Sequence, residues 1–296
     1  MNTARRPLAD WRDLAVLVTV WGSSFALTRL AVAELHPAFL ASARLWLGAL
    51  VLYTVARGRG LVLPRDKRSW AWFVFLAMIG NVLPFTLIGT ATQTISSALA
   101  GILISTVPLI TLALAPVFLR DEPFTLAKLA PFAVGFAGVL ILIGPDALFG
   151  AGASRTVLIA EGLIILAALG YALNGVTARL APVHPPLTTA TGVILAAALC
   201  SVPFALALGA TMPEALSVKV GLAVLALGVG STALAALVLY GLLPRAGASF
   251  VSLSNYLVPG FAVLVGFFFL DEQLGLREWI GLAVILSAVA VAGRHR

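Results

Sequence analysis

The chain has 296 residues, of which 61% are hydrophobic and only 10% are charged. A soluble domain is roughly 45–50% apolar and about 25% charged, so these charges cannot cover a water-soluble globule of this length. The net charge of +7 therefore points to basic loops beside a membrane rather than to nucleic acid. An ordinary cytosolic enzyme, a nucleic-acid binder and a disordered regulator are excluded. What remains is an all-α, polytopic integral membrane protein.

A membrane helix needs about 20 mostly apolar residues. Breaks by charge, proline and glycine divide the chain into ten expected spans: 13–33, 37–56, 69–90, 98–119, 126–143, 158–178, 187–208, 220–240, 250–269 and 277–293. The first carries Thr28 and Arg29 just before Ala31-Val32-Ala33 and is read as an uncleaved helix, not a signal peptide. Its Trp21, Ser24, Phe25 and Thr28 follow helical spacing and share one face. Span two carries Arg44, about 10 Å along the helix at 1.5 Å per residue. Three roles are open to it: snorkelling to the surface, pairing with Glu34 or Glu161, or attracting a substrate carboxylate. Asn81 lies mid-span in the third, three residues before Pro84. Span four contains Pro108, and Asp121-Glu122 leads into span five. Span six has Glu161 near its start, then Tyr171, Asn174 and Thr177. Span eight holds Ser231 and Thr232. Span nine holds Ser252, Ser254, Asn255 and Tyr256 before Pro259, and Asp271-Glu272 leads into span ten. Pro108 and Pro259 each remove a backbone donor, so each is expected to kink or loosen its helix.

Lys and Arg set the orientation. Fourteen fall at the termini and in the even loops, with the densest cluster at Arg57, Arg59, Arg65, Lys67 and Arg68. Only Arg155, Lys219 and Arg277 fall on the other side, while Arg29 and Arg44 lie within spans. This bias places both termini in the cytoplasm, with residues 1–12 and 294–296 as cytoplasmic ends and 144–157 as a periplasmic linker. Cys200 is the single cysteine, so no intrachain disulfide can form. His36, His184 and His295 fall near helix ends and suggest no metal cluster. No phosphate-binding Gly-rich loop and no convergent acid, base and nucleophile are present, so neither an enzyme nor a cofactor is expected.

Shifting the chain by 150 residues aligns its halves. Trp21 falls on Tyr171, Ser24 on Asn174, Arg29-Leu30-Ala31 on Arg179-Leu180-Ala181, and Asp121-Glu122 on Asp271-Glu272. Val107-Pro108 matches Val258-Pro259 with one residue of slip. Each half (13–143 and 158–293) holds five spans, and an odd number means that the second enters the membrane from the opposite face. Inverted repeats of this kind typify secondary transporters, with substrate near the midplane at the repeat interface. Trp21-Gly22-Ser23-Ser24-Phe25, Pro108 leading to Asp121-Glu122-Pro123, and Pro259 leading to Asp271-Glu272 resemble the EamA branch of the drug/metabolite transporter superfamily. Bacterial aromatic or broad-range amino-acid exporters are most similar within it. The resemblance implies ten helices, inverted repeats and export of small metabolites. One departure is that the second half has Tyr171-Ala172-Leu173-Asn174 where the first has Trp21-Gly22-Ser23-Ser24.

The expected substrate groups are Trp21, Ser24, Thr28, Arg44, Asn81, Tyr171, Asn174, Ser231, Asn255 and Tyr256. Scattered amides, hydroxyls and aromatic rings suit a zwitterion with a variable side chain, although any one of them can equally be a helix-packing contact. Pro108 and Pro259 are the kink positions, and Glu161 is the proton-coupling candidate. Arg29 with Asp271-Glu272, and Arg179 with Asp121-Glu122, are read as ion pairs that latch the two faces alternately. The alternative is that these carboxylates favour the N-termini of spans five and ten. The reading is a bacterial inner-membrane exporter of neutral and aromatic amino acids, with lipid around it, no nucleic-acid partner, and a monomer compatible. An organic-cation efflux carrier and a membrane protein moving no solute, such as a scramblase or assembly factor, are the alternatives.

Overall fold

The computed structural model describes residues 6–122, 125–143, 154–213, 215–269 and 275–294. Described residues with regular structure are all helical. The helices are α1 (Leu8–Ala31), α2 (Pro37–Gly58), α3 (Lys67–Ala77), α4 (Leu83–Ala91), α5 (Ser97–Ile104), α6 (Val107–Phe118) and α7 (Leu126–Ile143) in the first half. In the second half they are α8 (Arg155–Thr177), α9 (Pro186–Ala207), α10 (Val218–Ala226), α11 (Ala235–Ala246), α12 (Ala248–Ser252), α13 (Ser254–Phe269) and α14 (Leu276–Arg294).

Among the described residues, six helical stretches are long and apolar enough to cross a membrane: Leu8–Ala31, Pro37–Gly58, Lys67–Ala91, Arg155–Leu180, Pro186–Ala207 and Val218–Ala246. The stretches of the other four expected spans hold shorter helices or parts of helices, α5 with α6, α7, α12 with α13, and α14. The first helix begins at Leu8, inside the stretch expected to be a cytoplasmic terminus.

Two long rods contain π-helical turns. Met78–Val82 joins α3 to α4, and Leu227–Leu234 joins α10 to α11. A π turn widens the helix and takes local carbonyls out of the regular ladder. In both rods it falls at the stretch where the sequence carries small and polar residues, Gly80-Asn81 and Gly228 to Thr232.

The fourth and ninth expected spans are interrupted rather than kinked. α5 ends at Ile104 and α6 begins at Val107, which puts Pro108 in the first turn of α6. There its missing N–H is one that the helix leaves unbonded anyway. The break falls just before the proline, whose ring disfavours helix continuity on its N-terminal side. Ser105 Oγ donates across the break to Gly101 O at 2.8 Å and to Asn255 O at 3.0 Å. The ninth span divides at Leu253, six residues before Pro259, which sits inside α13.

Helix starts follow local capping chemistry. The Asp66 carboxylate accepts from Ser69 N at 2.8 Å at the start of α3, and Ser217 Oγ accepts from Val220 N at 3.2 Å at the start of α10. The bond from Ser69 holds the Asp66 carboxyl below the usual carboxylate range. α7 packs along α14, α2 along α9, and α8 against α4 and α6. Buried Ala160, Ala167, Ala168, Ala172, Ala190 and Ala197 let these helices approach closely, the usual basis of association between membrane helices.

Candidate functional site

A partly open cavity lies where helices of both halves meet. Trp21, Ser24, Phe25 and Thr28 of α1 line it, with Arg44 of α2, Asn81 of the first π turn and Phe85 of α4. The second half contributes Tyr171 and Asn174 of α8, Ser231 and Thr232 of the second π turn, Tyr240 of α11, Ser252 of α12 and Asn255 of α13. Nine of the ten substrate groups named from the sequence are thus brought together. Tyr256 is not. Its hydroxyl donates to Phe132 O at 2.7 Å, and its ring packs against Phe132 of α7.

The rod around each π turn is tied to the first helix of the other half, at the end of α3 in one case and within the π turn in the other. Asn174 Nδ2 donates to Leu76 O at 3.0 Å, and Ser231 Oγ donates to Val20 O at 2.6 Å. Gly80 makes room for the first tie, since a Cβ there would lie 2.2 Å from Asn174 Nδ2. Several polar groups of the wall serve their own helices: Ser24 Oγ donates to Trp21 O at 2.7 Å and Asn255 Nδ2 to Ser252 O at 3.0 Å. The Asn81 amide and the Tyr171 hydroxyl make no hydrogen bond to the described residues and line the cavity with their polar groups unsealed.

Arg44 neither snorkels nor pairs with an acid. It is 5% exposed, its Nε donates to Thr232 Oγ1 at 3.1 Å, and its guanidinium lies 3.8 Å from the Phe85 ring centroid. Glu34 is engaged elsewhere, accepting from Ser217 Oγ at 2.7 Å and Ser217 N at 3.1 Å. Glu161 is half-buried on α8 and does not line the cavity. Among the described lining residues no carboxylate is present and Arg44 is the one cation. No group of three His, Cys, Asp or Glu among the described residues is arranged to hold a metal ion.

The end of the molecule where α1 begins is closed by ion pairs. Arg179 meets Asp121 Oδ2 and Glu122 Oε1, both at 2.6 Å. The Glu122 carboxylate also reaches the other half. It accepts from Ala248 N at 2.9 Å, Ser249 N at 3.1 Å and the Ser249 hydroxyl, so it caps α12 in the other half. Gly247 makes that cap accessible: its φ of +87° suits glycine, and a Cβ there would lie 2.9 Å from Glu122 Oε1. Beside it, Arg245 bonds Asp10 Oδ1 at 2.9 Å and also pairs with Asp13. Arg29 is exposed in the last turn of α1 at the opposite end. Its expected partners Asp271 and Glu272 lie outside the described residues.

Phe85, Tyr240 and Thr111 escaped the sequence reading as wall residues. Phe85 follows Asn81 by four residues, so one turn of helical spacing places both on a single face. Tyr240 and Thr111 sit in apolar runs that carry no comparable stripe.

The sequence pattern of the EamA-like transporter family matches residues 14–144 and again residues 158–294. An uncharacterised transporter of Archaeoglobus fulgidus is 25% identical over 98% of this chain and 100% of its own length. The uncharacterised transporter YdfC of Bacillus subtilis is 26% identical over 93% of this chain and 88% of its own. A crystal structure at 21% identity superposes with a TM-score of 0.78 over 97% of both chains, which shows the same fold. Matched across both halves, the chain belongs to the EamA-like transporter family and is a multi-pass membrane transporter.

Proposed function

We propose that the protein is a secondary transporter that exports amino acids of broad range, neutral and aromatic ones included, by alternating access of two inverted halves. The observation that carries this reading is the composition of the cavity wall. Trp21 and Tyr171, Ser24 and Asn174, and Asn81 and Ser231 are pairs 150 residues apart, and Ile104 and Asn255 are 151 apart; all of them line the cavity. The two π turns follow the same offset. If the halves enter the membrane from opposite faces, exchanging their conformations turns a cavity open to one side into one open to the other. The Lys/Arg bias assigns the ion-paired end to the cytoplasm. Within this reading Pro108, Pro259 and the two interruptions beside them are bending points, and Glu161 is the coupling candidate.

The cargo class follows from the walls. Aromatic surface at Trp21, Phe85 and Tyr171 is interspersed with a few amides and hydroxyls, and no dense charge cluster selects a phosphorylated ligand. An apolar pocket discriminates one methylene by only about 1–3 kcal/mol, so related side chains share a route that grips the common amino-acid backbone. Purified protein in liposomes should therefore exchange several neutral amino acids in counterflow. Trp21→Ala and Asn174→Ala should each reduce the flux while the protein stays folded. Movement of organic cations without any amino acid would establish the cation carrier instead. Lipid scrambling without solute flux would establish the non-transporting reading.

A further inference from the structure

We propose that the cavity recognises its cargo through a carboxylate held by the two Nη nitrogens of Arg44, so that a carboxylate suffices for binding and an amine does not. This rests on the reading of the cavity as the cargo site and adds which chemical group that site reads.

A cation buried in a membrane protein is expensive and is ordinarily paired. Arg44 is 5% exposed, yet no carboxylate among the described residues approaches it within ion-pair distance or lines the same cavity. Its one recorded hydrogen bond uses Nε, which donates to Thr232 Oγ1 at 3.1 Å. The Thr232 hydroxyl in turn donates to Leu227 O at 2.9 Å within the π turn, so its lone pair is aimed at Arg44. Gly48 lets α2 and the π turn close to this distance, since a Cβ there would lie 2.7 Å from the Thr232 methyl carbon. One face of the guanidinium is covered by the Phe85 ring at 3.8 Å. The fork is thus fixed in direction, and the edge formed by its two Nη groups is left without a protein acceptor among the described residues.

A planar fork of two N–H groups matches the two oxygens of a carboxylate. Asn81 and Tyr171 add two more donors lining the same cavity that no described residue engages. An ammonium group finds only neutral oxygens there and is repelled by Arg44. A decarboxylated amine is therefore rejected, whereas an acid lacking the amine keeps its main contact.

The test uses three ligands that share one ring: phenylalanine, 3-phenylpropanoate and phenethylamine. Binding of each to the detergent-purified protein is measured by calorimetry. Phenylalanine and 3-phenylpropanoate should bind within about tenfold of each other, and phenethylamine should not bind measurably. Arg44→Gln should weaken both carboxylates by at least about tenfold. Should that variant fail to fold, Arg44→Lys keeps the charge without the fork; it should weaken both carboxylates several-fold and still reject the amine. Phenylalanine binding with phenethylamine equally tight, or carboxylate affinities unchanged in the folded variants, would overturn the carboxylate proposal and leave the amino-acid reading standing. No binding by any of the three to folded wild-type protein would overturn both.

Discussion

At the end where α1 begins, Arg179 and Arg245 each engage two carboxylates, whereas in the central cavity Arg44 engages none. The contrast extends to the neutral groups. At the closed end even the backbone N–H groups of Ala248 and Ser249 are satisfied by Glu122, while in the cavity Asn81 and Tyr171 keep their polar groups unengaged by the described residues. Those groups are half-buried and face the cavity space, where water or a solute can meet them. One region is thus complete by itself and stabilises a particular arrangement of the two halves. The other leaves polar groups that no described residue engages.

Substitutions can break that contrast from either side. The largest effect is expected at Glu122, whose carboxylate joins Arg179 of the second half to the cap of α12. Glu122→Ala strands several partners in a site where Arg179 is 17% and Glu122 11% exposed. An unsatisfied buried partner costs about 1–3 kcal/mol, so the unfolding midpoint of the purified protein should fall by several degrees and transport should drop sharply. Exchanging the charges, Glu122→Arg with Arg179→Glu, should restore part of the transport lost by either reversal alone. Gly80→Ala acts on the cavity side by forcing Asn174 away from Leu76 O. Overpacking costs about 1–3 kcal/mol, and substrate flux should fall several-fold more than stability suggests, because the π turn is displaced with it. Arg245→Ala should matter less. Its own side chain is 46% exposed, but Asp10 is only 4% exposed and would be stranded, so the unfolding midpoint should fall by a few degrees while transport changes less than twofold.

The smallest effect is expected at Asp66, outside both regions. Its carboxyl titrates below the usual range because the Ser69 N–H favours the charged form. A depressed folded-state value means that the stabilisation is present above the ordinary carboxylate range and is lost as the pH falls through the folded value. Asp66→Asn should therefore lower the unfolding midpoint slightly at neutral pH, and the difference from wild type should vanish in acid.

Much of the helical frame was legible because a membrane leaves few options for an apolar run between charges. The fifth expected span, 126–143, coincides with α7, and the second, 37–56, lies within Pro37–Gly58. The interruptions at Ser105-Thr106 and Leu253 were not legible as breaks, since proline marks a weak point without saying whether the helix bends there or ends before it. The π turns have no local code either. Their glycines and hydroxyls read equally as packing residues until the opposing helix is known. At the site, α1 was legible because helical spacing put Trp21, Ser24 and Thr28 on one face. Tyr256 was misplaced for the same geometric reason: neighbouring helical residues point about 100° apart, so Asn255 faces the cavity while Tyr256 turns to α7. The orientation of Arg44 depends on Thr232, 188 residues away, and no local pattern carries such a contact.

If the cavity opens to its two sides in turn, the Arg179 contact is broken in one of the two states. Arg179→Cys and Asp121→Cys in a Cys200→Ser background place two thiols where the ion pair now spans 2.6 Å. Bridging them with a short bifunctional thiol reagent, in liposomes, then measures transport with that end held shut. Amino-acid counterflow should cease in the cross-linked protein and return when the bridge is reduced. Counterflow at the uncross-linked rate in fully bridged protein would contradict alternating access through this cavity.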